Sequence, residues 1–173
     1  VVVFNRCDGV EDLPSFRRSI RAVNQFADII FEGSYGEIED LGDEDLPYDI
    51  NSDHIVLEDN TYATWYLDAM ERPDRYVGKT IEFTGMVMHG EEYPPGWFIP
   101  GRIAMVCCEK DVAFLGYPCR WDGECDMRDQ QWVQVTARFN LAEWFEYEGE
   151  GPVLYVDRVE RCQPPEQLVI NVN

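Results

Sequence analysis

Basic residues are scarce in this sequence. Fourteen Lys and Arg stand against 34 Asp and Glu, a net charge of −20 over 173 residues. Nucleic-acid affinity is built on cationic contacts and counterion release, so binding to DNA or RNA is not expected. An anionic membrane surface repels such a chain for the same reason. Histidine is scarcer still, present only as His54 and His89. No apolar run approaches the roughly 20 residues that cross a bilayer as a helix. G-x-S-x-G, H-E-x-x-H and a phosphate-cradling Gly loop are all missing. No C-x-x-C signals a zinc ribbon or a thioredoxin-type site. With no complete catalytic set legible, the expectation is a protein that is not an enzyme. The chain opens Val1-Val2-Val3-Phe4, without Met or a signal-peptide pattern. We therefore expect a processed or truncated chain that has lost an export signal or membrane anchor.

What is present can build a core. Apolar residues make up 45% and aromatics 13%, too many for a disordered chain. Phe16, Ile20, Val23, Ala27 and Ile30 recur at helical spacing after Asp12 and Pro14, which predicts a helix over Pro14–Phe31 ended by Gly33. From Glu32 to Asp59 there are eleven acids and no Lys or Arg. This stretch reads as a solvated acidic linker, because the ordered spacing of a Ca²⁺ loop is missing. His54–Leu57 is a candidate short strand. Asp59 or Asn60 is the expected cap of a second helix carrying Tyr62, Trp65, Tyr66, Ala69 and Met70 on one side, ended by Pro73. The expected organisation is thus a helical N-terminal segment with an acidic linker over 1–50 and a β domain over 51–173.

The remainder alternates with period two. Strands are expected around Ile81–Val87, Trp97–Cys108 with a bend at Pro100-Gly101, Ala113–Trp121, Val133–Leu141 and Val153–Cys162. Pro164-Pro165 then leave an apolar tail, Leu168–Val172. Five strands in so short a span fit a mainly β fold with α additions, an OB-like barrel, with a small β-sandwich as the competing arrangement. Trp97, Trp121, Trp132, Trp144, Tyr93, Tyr117 and Tyr155 read chiefly as core or rim packing. Trp144, Phe145 and Tyr147 stand among Glu143, Glu146 and Glu148, as a cover for one barrel end or as a partner surface.

Cys7, Cys107, Cys108, Cys119, Cys125 and Cys162 are the chemically distinctive residues. Soft metals such as Zn²⁺ or Cu⁺ take thiolate and imidazole ligands. Cys107, Cys108, Cys119 and Cys125, with Asp111 or His89, are the candidate set. The alternative is disulfides, for example Cys107 or Cys108 with Cys119 and Cys7 with Cys162. A reactive thiol, as in a Cys–His pair of Cys107 or Cys108 with His89, is a third reading.

Several segments carry a family pattern. Tyr76-Val77-Gly78-Lys79 precedes Phe83-Thr84-Gly85-Met86-Val87. Arg102-Ile103-Ala104-Met105-Val106-Cys107-Cys108 is followed by Asp111, then by Leu115-Gly116-Tyr117-Pro118-Cys119. Gln131-Trp132-Val133-Gln134-Val135 and Val159–Pro165 close the pattern. Together, over about Val56 to Ile170, they resemble the C-terminal domain of the DUF1980, or YcgQ-like, proteins. Val112 and Ala137 depart from the usual Ala and Gly. The resemblance implies a membrane-associated protein whose soluble domain lies outside the cytoplasm and whose partner is a polytopic permease. Cys107, Cys108, Asp111 and Cys119 then form the shared cluster, structural or binding metal or partner. Cys7, Cys125 and Cys162 fall outside the pattern and are better candidates for local disulfides. A non-catalytic accessory domain is the leading expectation, with soft-metal delivery and thiol-redox function as alternatives.

Overall fold

The computed structural model describes residues 2–4, 42–43, 45–90, 92–105, 112–123, 127–147 and 149–172, with backbone alone for residues 2–4 and 112. The helix expected over Pro14–Phe31 lies outside them, as does the acidic stretch from 32 to 41.

The described chain is mainly β. In order it forms β1 (Val2–Phe4), β2 (His54–Val56), helix α1 (Tyr62–Glu71), a 3-10 turn (Pro73–Arg75), β3 (Thr80–Met88), β4 (Trp97–Met105) and β5 (Val112–Gly116). Then follow β6 (Cys119–Arg120), β7 (Trp132–Glu143), β8 (Glu150–Arg161) and β9 (Val169–Asn171). All nine strands belong to one hydrogen-bonded sheet. β3 pairs with β4 and β7, β7 with β8, β8 with β6 in parallel, and β6 with β4. Followed strand to strand, these pairings return to β3. β2 runs parallel beside β3. The second half of β4 carries β5 on one side and β9 on the other, with β1 beyond β5.

β4 serves both sets of partners along one strand: its residues 97–101 pair with β6 and β3, and its residues 101–105 with β5 and β9. Pro100 has no N–H to give a ladder. Gly101 stands so close to β5 that a Cβ there would lie 2.3 Å from the Leu115 carbonyl oxygen and 2.7 Å from the Phe114 ring. Only glycine admits that approach.

Two expected elements differ. The strand expected over Ala113–Trp121 is split into β5 and β6 by Tyr117-Pro118. Pro118 lacks the donor a continuous strand needs, while its carbonyl accepts from the Leu154 amide at 3.0 Å. The helix cap is Thr61 rather than Asp59 or Asn60, because the Asp59 carboxylate instead takes the guanidinium of Arg102.

α1 presents Tyr62, Trp65, Tyr66 and Ala69 to the core, where they meet Phe83, Tyr117, Phe139 and Leu154. The Tyr66 and Tyr117 rings stack at 4.5 Å, and Trp65 meets Tyr117 edge-on at 5.5 Å. The alternation of β7 buries Val133, Val135, Ala137 and Phe139 completely. A side chain the size of Phe139, removed from such a core, costs about 3–5 kcal/mol. Leu46 and Ile50 join the same core, and the Tyr48 hydroxyl lies 2.6 Å from that of Tyr76. No helix among the described residues is long and apolar enough to cross a membrane.

Candidate functional site

Cys107, Cys108 and Asp111 stand in the chain between Met105 and Val112, the register pair that ends the β4–β5 hairpin. They, with Cys7 and Cys125, lie outside the described residues. Cys119 opens β6 and pairs with Phe98, seven positions from Met105, or about 20 Å along an extended strand. Its thiol is fully buried and donates to the Tyr117 carbonyl at 3.5 Å. Burial pushes the Cys119 thiol well above its ordinary pKa, which favours the neutral thiol over the thiolate that metals and nucleophilic chemistry use. Cys162, half-buried after β8, is also a free thiol whose pKa burial raises.

His89 follows β3. Its backbone amide and its Nδ1 both meet Asp129 Oδ1, at 2.7 and 3.1 Å. Its ring lies 6.3 Å from that of Phe98. Among the described residues, no three His, Cys, Asp or Glu side chains gather closely enough to hold a metal ion.

A second cluster forms where the β3–β4 and β7–β8 turns meet. Trp144, 6% exposed, is its floor. Tyr93 packs against Trp144 at 5.3 Å, Trp97 at 4.7 Å and Phe145 at 4.6 Å. Phe145 is 53% exposed, while Tyr93 and Trp97 are half-buried. The Trp144 indole N–H donates to Glu146 Oε2 at 3.2 Å. Desolvation raises the pKa of Glu146 above the ordinary carboxylate range. Tyr147 does not share this surface, because its hydroxyl turns back to the Pro152 carbonyl at 2.8 Å. The sequence marks Trp144 and Phe145 as a group. Their partners come from a distant turn, for which the only local signal is Tyr93-Pro94-Pro95-Gly96.

A family model for the DUF1980 C-terminal domain matches residues 38–170. The chain belongs to this family. No curated protein matches the chain. Among solved structures it is similar to a putative aspartyl-tRNA synthetase from Leishmania major Friedlin, at 10% identity and a TM-score of 0.34. That similarity covers 80% of this chain and 26% of the other.

Two residues that carry the DUF1980 resemblance, Arg102 and Tyr76, make buried polar contacts. Arg102 is 1% exposed, yet it binds the Asp59 carboxylate and the Gln167 carbonyl and lies 5.4 Å from the centre of the Trp132 ring. It thereby ties the entry to α1, the approach to β9 and the start of β7 to one strand. Its Nε is buried without a hydrogen-bond partner. Tyr76 donates to the buried carboxylate of Asp68, which also accepts from Arg75 at 3.1 Å and pairs with Arg72 at 2.6 Å. A buried carboxylate needs such company, since desolvating it alone is costly. These DUF1980 positions were legible as a pattern, but the buried ion pairs behind them join residues far apart in sequence.

Proposed function

We propose that this chain is a non-catalytic accessory domain of a membrane permease system, held outside the cytoplasm. In this reading, strands β3, β4, β6, β8 and β7 form an OB-like barrel that serves as a binding scaffold. The observation that supports it most is the parallel β6–β8 pairing in a DUF1980 chain. With four antiparallel pairings it leads back to the starting strand. Closure of that kind leaves few free strand edges and gives a rigid body on which loops and hairpins carry contacts. The permease partner and the location follow from the family resemblance. Cys107, Cys108 and Asp111, between β4 and β5, are then a covalent staple or a metal or partner contact on a hairpin that leaves the ring.

Capture from detergent-solubilised membranes tests the reading. The tagged chain should retain the polytopic permease, with or without added zinc or copper(I). No retention under any of these conditions rejects it. Native mass spectrometry of the same sample separates the roles of the cysteines. A bound ion supports a metal contact, and a mass lighter by pairs of hydrogens supports disulfides.

A further inference from the structure

We propose that the aromatic cluster of Tyr93, Trp97, Trp144 and Phe145 is a docking site for a basic segment of a partner protein, with an Arg or Lys side chain lying on the exposed rings. The inference deepens the reading of the chain as a binding domain by naming a surface and the chemistry it takes.

Two turns distant in sequence converge to build the surface. Neither 89–97 nor 141–152 contains a single Lys or Arg, while Glu92, Glu143, Glu146 and Glu150 are all drawn from them. Phe145 is a large apolar ring left half open to water, on a turn that carries acids and no Lys or Arg. Trp144 beneath it fixes the platform, through ring contacts at 4.6, 4.7 and 5.3 Å. The same indole holds the Glu146 carboxylate beside the rings. A nearby cation on the strands, Arg120, is opposite Trp97 in the register but is ion-paired with Asp122 at 3.0 Å. Aromatic faces attract cations through their quadrupole, and a guanidinium can stack on a ring while bonding a carboxylate at its edge. Phosphates and acidic peptides would be repelled by the same groups.

The test titrates the full chain with a blocked Gly-Arg-Gly-Arg-Gly peptide at about 0.15 M salt, where long-range attraction is screened. Tryptophan emission and calorimetry report binding. Saturable binding is expected, weakened about tenfold by Phe145→Ser, the scale of one lost cation–π contact. Glu146→Gln should weaken it similarly, while Glu166→Gln, the same change of charge elsewhere, should leave it unaltered. A citrulline peptide, neutral but of the same shape, should bind about tenfold less tightly. Phe145→Ser removes an exposed ring, and an unchanged melting temperature checks that the variant is folded. Absence of saturable binding overturns the proposal. So does equal binding by Phe145→Ser, equal binding of the citrulline peptide, or equal weakening by Glu166→Gln. Sedimentation showing a dimer that Phe145→Ser dissolves would also overturn it, by assigning the rings to a second copy. Because the probe is a free peptide, its failure leaves the permease capture experiment unaffected.

Discussion

Asp59, at the head of α1, accepts a charged hydrogen bond from Arg102, whose side chain is only 1% exposed on β4 while that of Asp59 is 34% exposed. The pair is asymmetric, and so are its predicted mutational costs. Asp59→Ala strands a buried guanidinium and should cost on the order of 3 kcal/mol. Arg102→Met leaves the carboxylate near water and fills the same space with an apolar chain, so about 1–2 kcal/mol is expected. Urea midpoints of the two variants give the comparison, and the reverse order would contradict the burial asymmetry.

Glycine substitutions should separate a steric role from a conformational one. Gly101→Ala places a methyl against the Leu115 carbonyl and the Phe114 ring, so the β4–β5 pairing must shift. A loss of at least about 3 kcal/mol, or failure to fold, is expected. Gly78 has φ +83° with open space around it, so Gly78→Ala should cost only about 1 kcal/mol. Thermal melts of both variants provide the measurement.

Alkali should unfold the protein through its tyrosines. Burial raises the Tyr48 pKa to about 12 and pushes those of Tyr62, Tyr66 and Tyr117 above the ordinary tyrosine value as well. A tyrosine that keeps its proton longer when folded contributes its stability below the unfolded value near 10. That contribution is lost as pH rises toward the folded value. Stability should therefore fall from about pH 10 upward through 12. Tyrosinate absorbance should rise together with loss of circular dichroism. Gradual ionisation with the fold intact would contradict the burial of these rings.

The periodic parts of this architecture were legible in advance. The stripe of Tyr62, Trp65, Tyr66 and Ala69 marked α1, and the alternation of Val133, Val135, Ala137 and Phe139 marked β7, because burial on one face imposes the period locally. Pairing partners were not legible, since the parallel contact of Cys119 with Leu154 joins positions 35 apart in the sequence. Capping propensity at Asp59 misled because a buried guanidinium needed the carboxylate more than the helix end did. At the candidate site, the sequence marked Trp144 and Phe145, but Tyr93 and Trp97 reach them only through the fold.

The two described thiols should react in a set order. Iodoacetamide applied to the native protein should label Cys162, which is partly open, before Cys119, which is sealed beneath the sheet with its pKa raised by burial. Cys119 should become reactive only in denaturant, as peptide mass mapping would show. Rapid native labelling of Cys119 would contradict its burial.

β4 is one uninterrupted strand whose first half closes the ring and whose second half bears β5 and β9. A load applied to the hairpin therefore pulls on the same run of amides that stitches the ring together, with no seam at which the two parts can separate. The arm and its mount should accordingly melt as a single cooperative body, and anything gripping the arm also holds the mount.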